Sequence, residues 1–301
     1  MSDSFSSFAP TALRHPARGN RLFCFGLGFS ARVLARRLVA KHWRVAGTCR
    51  SADKAKALAE AGIEPFLFDR DKPLADVAAA LAGTTHLLSS VPPDAAGDPV
   101  LAAFGPAIAA AGATWIGYFS TTGVYGDHGG AWVNEETPCS PANPRARARL
   151  AAEAHWQALG AHVFRLAGIY GPGRSTIGAL RAGTQRRIVK PGQIFSRIHV
   201  ADIAAAVAAS LAAPRPGRIY NLADDLPCPP EDVVDEGARL LGVPPPPTEP
   251  FEGAPLSAMA REFYADSKRV SNARLRHELG VALTYPTYRE GLAALVRDEA
   301  R

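Results

Sequence analysis

The stretch Leu-Phe-Cys-Phe-Gly-Leu-Gly-Phe-Ser-Ala, residues 22–31, decides the fold of this 301-residue chain. Its first four residues form an apolar run of strand length, and apolar residues then recur at helical spacing from position 31 to position 39. Gly26 permits a tight bend, Gly28 lets the backbone approach a pyrophosphate, and the small Ala31 lets the helix pack closely on the strand. The stretch therefore predicts a dinucleotide-binding turn at a helix N-terminus, with an ordinary glycine turn as the alternative.

Strand and helix patterns alternate along the first 120 residues. After the first strand and helix, strands are predicted at 43–48, 63–68, 86–91 and 114–119, and helices at 53–61, 74–81 and 99–111. Strands that alternate with helices indicate a parallel sheet covered by helices on both faces. The sequence therefore predicts an α/β fold with a Rossmann-type, doubly wound parallel sheet.

Polar or small residues stand where these predicted strands end. Asp69 follows the third strand, and Ser89, Ser90 and Val91 close the fourth. Ser120 and Thr121 follow the fifth in the same way. Because ligands bind beyond the carboxyl ends of parallel strands, we expect these residues to gather around the glycine turn.

The second strand ends without the carboxylate that binds the ribose 2′-hydroxyl of NAD in such folds. Cys49, Arg50 and Ser51 occupy this end, and the first carboxylate is Asp53. A guanidinium forms two parallel hydrogen bonds to a phosphate, which suits Arg50 to the 2′-phosphate of NADP. NADP is therefore the favoured cofactor and NAD the alternative. The competing interpretation of Arg50 is an exposed loop arginine.

The composition is that of a globular protein and argues against several other classes. Hydrophobic residues make up 47% of the chain and charged residues 21%. We expect no signal peptide and no membrane span, since no run approaches the roughly 18 apolar residues that a span requires. The four scattered cysteines fit a reducing cytoplasm and indicate neither a disulfide framework nor a metal site. The net charge of +6 lies in separate clusters, so no nucleic-acid partner is expected.

Several motifs follow in order from residue 120. They are Ser-Thr-Thr-Gly-Val-Tyr-Gly at 120–126, Arg-Leu-Ala-Gly-Ile-Tyr-Gly-Pro at 165–172, Arg-Ile-His-Val-Ala-Asp-Ile-Ala at 197–204 and Tyr-Asn-Leu at 220–222. In this order they resemble the signature segments of the extended short-chain dehydrogenase/reductases, the NAD-dependent epimerase/dehydratase family. The resemblance covers residues 20–285 and implies that Thr121 matches the family's catalytic Ser/Thr. A strand-end hydroxyl that caps the backbone is the alternative for Thr121.

One segment departs from the family's catalytic Tyr-x-x-x-Lys motif. Residues 144–153 read Pro-Arg-Ala-Arg-Ala-Arg-Leu-Ala-Ala-Glu, which places Arg145 at the tyrosine position and Arg149 at the lysine position. Four residues apart on a helix, the two side chains share one face. The resemblance implies that Arg149 keeps the contact with the nicotinamide ribose. Arg145 stays protonated and cannot act as a general base, so the chain resembles atypical family members that lack the active-site tyrosine.

The residue patterns and the resemblance together give a division of the chain and a set of site residues. Residues 1–19 would form a flexible tail, 20–170 with segments near 197–223 the nucleotide-binding domain, and 171–196 with 224–301 a small C-terminal substrate lobe. Helices are predicted in that lobe at 231–241 and 267–279. The catalytic candidates are Thr121, Arg145 and Arg149. The cofactor-binding candidates are Gly26, Gly28, Phe29, Ser30, Arg50, Ser51, Asp69, Ser89, Ser90, Val91, Ser120, Arg149, Ala167 and Ile169.

Function hypotheses from different classes remain open. The first is an NADP-dependent oxidoreductase or epimerase-like enzyme acting on a small polar substrate, phosphorylated or nucleotide-linked, and Thr121 favours it. The second is a catalytically inactive NADP-binding redox sensor or regulatory protein, which Arg145 favours. A nucleic-acid binder based on the positive charge is the least favoured class, because the basic residues lie in separate clusters. The resemblance further implies a homodimer formed through the helices near 99–111 and 144–159.

Overall fold

A computed structural model describes residues 19–74 and 76–299 of the chain. The predicted flexible tail, residues 1–19, lies outside this part except for Gly19. The strands are β1 (Arg21–Phe25), β2 (Arg44–Cys49), β3 (Glu64–Leu67), β4 (His86–Ser89), β5 (Trp115–Thr121), β6 (Trp132–Val133), β7 (His162–Leu166), β8 (Gly168–Tyr170), β9 (Arg187–Val189), β10 (Arg197–His199), β11 (Ile219–Leu222), β12 (Thr248–Pro250) and β13 (Arg269–Val270). The helices are α1 (Phe29–Val39), α2 (Ala52–Glu60), α3 (Val77–Leu81), α4 (Pro99–Ala110), α5 (Pro144–Ala158), α6 (Thr176–Arg181), α7 (Val200–Ala212), α8 (Pro230–Leu241), α9 (Ala258–Ala265), α10 (Ala273–Leu279) and α11 (Tyr288–Glu299).

The central sheet is parallel throughout the described residues, with the strand order β3-β2-β1-β4-β5-β7-β11. The chain begins in the middle of the sheet at β1, moves outward to β3, and then crosses over to β4 on the other side of β1. The order therefore reverses between β1 and β4, and ligands of doubly wound sheets bind outside this switch point. The predicted α/β fold with a Rossmann-type sheet is confirmed.

Helices cover both faces of this sheet. Leu22 and Cys24 of β1 belong to the core shared with α1 and α7, whereas Phe23 and Phe25 belong to the core shared with α4 and α5. This alternation follows from the two-residue period of a strand. All four side chains are fully buried, as expected for a parallel sheet covered on both sides. The core thus holds the turn after β1 in place from both faces.

A smaller core lies outside the sheet. Tyr170 at the end of β8, Ile177 of α6, Val233 of α8 and Leu292 of α11 are buried against one another. The short parallel pair β8–β10 leads from the end of β7 into this region, and the pair β9–β12 borders it. Within the described residues, no helix combines the length and the apolar character needed to cross a membrane.

Two predicted helices differ from the observed ones. The helix predicted at 74–81 begins only at Val77, because Asp76 caps it by accepting a hydrogen bond from the Ala79 N–H over 2.9 Å. The helix predicted at 267–279 is wrong in its first half, where β13 pairs with β6 and α10 begins at Ala273. The Val270 N–H donates to Ser196 Oγ, so this backbone is held extended by residues far away in the sequence.

Candidate functional site

The glycine turn between β1 and α1 is held by the neighbouring strands. Gly26 has a φ of +83°, and its N–H donates to Thr48 Oγ1 over 2.7 Å. The Ser90 N–H donates to the Phe25 carbonyl, and Ser90 Oγ donates to the Gly26 carbonyl. A Cβ at position 26 would lie 3.0 Å from Ser90 Oγ and from a Val91 methyl group. Both the positive φ and this close approach therefore require glycine.

Gly28 borders open space at the start of α1. A Cβ there would meet no protein atom within 4 Å, and the φ of −77° suits any residue. Open space, rather than backbone strain, is thus what distinguishes this position. The helix begins at Phe29 with no side-chain cap and no acidic residue in its first turn. Its first N–H groups therefore lack intrahelical acceptors, while Ser30 and Ala31 behind them are buried.

The ends of β2 and β3 carry one cation with no partner. Arg50 is exposed directly after β2, and within residues 19–74 and 76–299 it makes no ion pair or hydrogen bond through its side chain. Ser51 Oγ instead caps α2 by accepting from the Lys54 N–H over 3.4 Å. Asp69 is exposed after β3, where its carboxylate accepts from the Arg70 N–H. Of these predicted residues, Arg50 is the one with hydrogen-bond donors left for an anion.

Ser89 leaves a buried hydroxyl unpaired at the end of β4. Its side chain is fully buried, and Oγ has no hydrogen-bond partner among the described residues. Leaving a buried polar group unpaired costs about 1–3 kcal/mol. Since β4 adjoins the turn after β1, this orphaned hydroxyl fits a site that a polar ligand completes.

The structure turns both hydroxyls at the end of β5 towards protein groups. Ser120 Oγ donates to Glu153 Oε1 at 2.5 Å and is buried with it. Thr121 Oγ1 accepts from the Gly123 N–H over 3.1 Å and so caps the short 3₁₀-helix Thr122–Tyr125. The Thr121 hydroxyl hydrogen remains available to a substrate, because this bond uses the oxygen only as an acceptor.

Arg145 and Arg149 both lie on α5 but have different surroundings. Arg145, in the first turn, is exposed and makes no ion pair with any described residue. Arg149 is half-buried, and its Nη1 donates to the Phe119 carbonyl over 2.9 Å and to Tyr118 Oη over 3.2 Å. Arg149 is therefore held at the carboxyl end of β5, where the predicted cofactor residues of β1 and β4 also lie.

Beyond β7 the chain leads to a second cleft. Ala167 is buried and donates its N–H to the Leu222 carbonyl, and Ile169 is half-buried in β8. Arg197 of β10 lines a cleft of about 180 Å³ between β9, α6, α8 and α9. Its other polar lining side chains are Thr176, Gln185, Arg186 and Tyr264.

The family assignment follows from the sequence. The model of the NAD-dependent epimerase/dehydratase family matches residues 71–223, just over half of the chain. The chain belongs to this family. Protein YeeZ of Escherichia coli (strain K12) is 30% identical over 275 residues, which cover 87% of this chain and 94% of YeeZ.

Solved structures show the same fold. A functionally unknown conserved protein from Silicibacter pomeroyi is 52% identical, with a TM-score of 0.85 over 94% of this chain and 100% of that one. The dTDP-glucose 4,6-dehydratase from Bacillus anthracis, solved in complex with NAD, reaches a TM-score of 0.71 at 16% identity, over 94% of this chain and 96% of that one. The second likeness concerns the fold alone.

For an epimerase/dehydratase family member, the residues at the switch point fit a dinucleotide. Gly28 leaves open space, the start of α1 is uncapped, and Ser89 Oγ lacks a partner. Each of these features is completed by a ligand that carries phosphate and hydroxyl groups. Within the described residues, no group of three or more His, Cys, Asp or Glu side chains could hold a metal ion.

Helix α5 contains no tyrosine, and most tyrosines of the chain are buried. All seven tyrosines lie in the described part, and only Tyr264 and Tyr285 are more than marginally exposed. The Tyr125 hydroxyl donates to Asn221 over 2.7 Å, and burial raises the pKa of Tyr125 to about 12. Tyr170 donates towards the Thr287 carbonyl from the smaller core. These contacts are those of structural residues.

A buried ion pair beneath α5 was not singled out from the sequence. Glu153 and Arg165 are almost fully buried, and Arg165 Nη2 lies 2.8 Å from Glu153 Oε2. The Arg165 guanidinium also lies over the Tyr125 ring. The sequence offered one sign of this pair, the acidic Glu153 on the predicted helix 144–159. A single sequence does not show that its partner is Arg165 on β7.

Proposed function

We propose that the protein binds NADP(H) at the β1–β4 switch point, with NAD as the weaker alternative, and acts as an oxidoreductase or epimerase-like enzyme on a small anionic substrate. The single observation that carries the cofactor choice is Arg50. It follows β2 at the position of the missing carboxylate and has no protein partner in the described part. A guanidinium in this place supplies charge-assisted bonds to a 2′-phosphate.

The N-terminal half of the site supports binding of the two central phosphates. The uncapped start of α1 presents N–H groups next to Gly28, and the first turn carries no acid that would repel an anion. When bound, the nicotinamide would supply hydride transfer. Arg149, held by the Phe119 carbonyl, is placed to contact the adjoining ribose.

The arginines of α5 and the second cleft favour a substrate with a carboxylate or phosphate. Arg145 is an unpaired, permanently charged fork that matches such groups in a bidentate pair. It could also stabilise negative charge that develops on a substrate oxygen. Arg197 adds a guanidinium group at the second cleft, where its Nη1 also donates to the Phe195 carbonyl, whereas the charge of Arg186 is balanced by Glu249. This arrangement supports a polar substrate, phosphorylated or linked to a nucleotide.

The second candidate function is a cofactor-binding sensor or regulator without turnover. The observation that favours it is that neither Arg145 nor Arg149 can donate and recover a proton at neutral pH. A carbonyl reduction would then draw its proton from water or through the Thr121 hydroxyl. We therefore expect slow turnover or none on ordinary substrates of the family, with cofactor binding intact.

Calorimetric titration with NADPH and NADH tests the cofactor proposal. We expect NADPH to bind more tightly by about 1.5–3 kcal/mol, the range of a hydrogen bond to a charged group. Arg50→Ala should remove most of this preference, whereas Arg37→Ala, which removes an exposed arginine from the last turn of α1, should keep it. Equal affinities in the unmutated protein would remove Arg50 from the site.

Oxidation of NADPH with a panel of carbonyl compounds and sugar nucleotides separates the two functions. Turnover with any of them supports the enzyme. Tight cofactor binding without turnover over the whole panel supports the sensor.

A further inference from the structure

Arg174 reaches back from the segment after β8 to the start of α1. Its guanidinium carbon lies 5.8 Å from the centre of the Phe29 ring. Phe29 is the first residue of α1 and follows Gly28 directly. A side chain 145 residues further along the chain thus contacts the first residue of α1, which follows directly on the open space at Gly28.

The main chain that carries Arg174 is firmly placed. The Gly171 N–H donates to the Arg174 carbonyl over 3.0 Å, and the Arg174 N–H donates to the Gly171 carbonyl over 2.9 Å. A Cβ at position 171 would lie 2.6 Å from a Val200 methyl group, so this turn is pressed against the start of α7. Helix α7 packs directly on α1. The two ends of the Arg174–Phe29 contact therefore belong to one packed frame.

The charge at this place is uncompensated by the protein. Arg174 is exposed, and no ion pair or hydrogen bond of its side chain occurs within residues 19–74 and 76–299. Helix α1 has no acidic residue in its first turn. A helix N-terminus carries about half a positive charge, so the guanidinium that contacts its first residue brings a second positive charge close to it. Such a pair is stabilised by an anion that lies between or beside the two.

We propose that Arg174 is a phosphate-binding residue of the dinucleotide site, which it closes from the side of the smaller lobe. The inference rests on the proposed function, because it takes the pyrophosphate as the anion. The guanidinium of Arg174 can donate two hydrogen bonds from its edge to one phosphate while one of its planar faces stays against the Phe29 ring. The pyrophosphate is common to NADP and NAD. Arg174 therefore contributes equally to both cofactors, unlike Arg50, which distinguishes between them.

Titration calorimetry of Arg174→Gln with NADPH and NADH tests this role without any turnover. We expect both dissociation constants to rise by about tenfold or more, with their ratio unchanged. The matched control is Arg36→Gln, which removes the same charge from the exposed last turn of α1 and should change both constants less than twofold. Matching thermal midpoints of the two variants would show that the fold is retained.

Further outcomes decide between the explanations. Arg174→Lys should recover part of the affinity, since it restores the charge but not the fork. Phe29→Leu should weaken binding less than Arg174→Gln if the phosphate contact dominates. Binding by Arg174→Gln within twofold of the unmutated protein would overturn the inference and leave the cofactor site standing. Failure of the unmutated protein to bind either cofactor would overturn the proposed function itself.

Discussion

Arg145 and Arg149 lie one helical turn apart, yet their guanidinium groups are suited to different tasks. Arg149 donates hydrogen bonds from Nη1 to the Phe119 carbonyl and to Tyr118 Oη, and these bonds fix its position. Arg145 has no such contact and stays free to follow a ligand. If the two stand in for a tyrosine and a lysine, the positive charge of the lysine is kept and the titrating hydroxyl of the tyrosine is lost.

The first residue-scale prediction concerns this exchange. Arg145→Tyr combined with Arg149→Lys should gain carbonyl reduction with NADPH, because a phenol beside a lysine can supply the proton. The rise should be about 10²-fold or more over the unmutated protein, the range of general acid catalysis. The measurement is the rate of NADPH oxidation with the same panel of carbonyl substrates and its pH profile.

Arg145→Ala is the companion variant. A loss of affinity for an anionic substrate, with unchanged cofactor affinity, would identify Arg145 as the residue that binds the carboxylate or phosphate of the substrate. No change in any affinity or rate would make Arg145 a bystander. Fast turnover by the unmutated protein, with a pH profile that shows a general base titrating like a tyrosine, would contradict the proposal that the site works without a catalytic tyrosine.

At the scale of elements, the pair Glu153–Arg165 fastens α5 to β7. Glu153 accepts from Nε and Nη2 of Arg165 and from Ser120 Oγ, so one carboxylate joins α5, β5 and β7. Arg165 Nη1 has no hydrogen-bond partner in the described part. Within the described residues, the charge of this almost fully buried guanidinium is balanced by the carboxylate of Glu153.

Glu153→Gln should destabilise the protein by about 3–5 kcal/mol, because it leaves the buried guanidinium of Arg165 uncompensated. Urea unfolding measures the free energy of unfolding. The matched control is Glu236→Gln, whose partner Arg239 is 67% exposed, and here we expect a loss below about 1 kcal/mol. Similar losses in the free energy of unfolding for both variants would show that the buried ion pair stabilises the protein no more than the exposed one.

The exposed sides of α4 and α5 carry the dimer prediction. Ala103 and Ala110 are exposed on α4, and Ala154 is exposed on α5, whereas Ala107 and Ala111 pack partly against the sheet. Such a surface admits a close approach of two helix pairs. We propose a homodimer across it.

Sedimentation at micromolar concentration tests the dimer. The unmutated protein should sediment as a dimer, and Ala103→Arg should shift it to the monomer because a charge and a long side chain would enter the contact. Ala59→Arg, on the exposed side of α2, should leave the dimer intact. A monomeric unmutated protein would reject the interface.

At the scale of the whole molecule, Asp224 joins the end of the central sheet at β11 to the strand β10 outside it. It follows β11, its N–H donates to the Arg197 carbonyl, and its Oδ1 accepts from the Leu226 N–H over 3.2 Å. The other carboxylate oxygen has no partner in the described residues. Burial raises the pKa of Asp224 from 3.8 to about 7, against the opposing effects of the Leu226 N–H and Arg197.

The pH dependence of stability follows from this pKa. Between pH 4 and pH 7 the folded protein holds a proton on Asp224 that the unfolded chain has released, so the free energy of unfolding falls as the pH rises. The loss approaches about 4 kcal/mol at 1.36 kcal/mol per pH unit. Burial lowers the pKa of His199 to about 4, which makes stability rise with pH between 4 and 6.5 and masks the effect in the unmutated protein.

Asp224→Asn isolates this contribution. The free energy of unfolding of the unmutated protein, minus that of the variant, should decrease steadily from pH 4 to pH 7 and level off above. Urea unfolding at several pH values provides the measurement. A difference that does not change with pH would show that Asp224 titrates normally.

The residues that line the candidate site at the carboxyl ends of β1 and β4 were largely predictable, because strand ends and glycine turns are local features. Gly26, Gly28, Ser89 and Ser90 lie where the alternation of strands and helices puts them. The direction of a hydroxyl was not predictable in the same way. Ser120 points to Glu153 because that carboxylate is buried next to Arg165, an arrangement made by three separate elements.

By itself, the sequence determined the alternation of strands and helices over the first 120 residues and the glycine turn after β1, since periodicity and φ preferences act over a few residues. Only the tertiary structure decided that residues 269–270 form a strand against β6, that the Thr121 oxygen caps Gly123, and that Arg174 stands over Phe29. Two of these depend on partners more than a hundred positions away. The Thr121 contact is local, but its choice between capping and substrate depends on what surrounds the end of β5. Side-chain direction and long-range pairing are set by packing, and packing is decided only when the whole chain has folded.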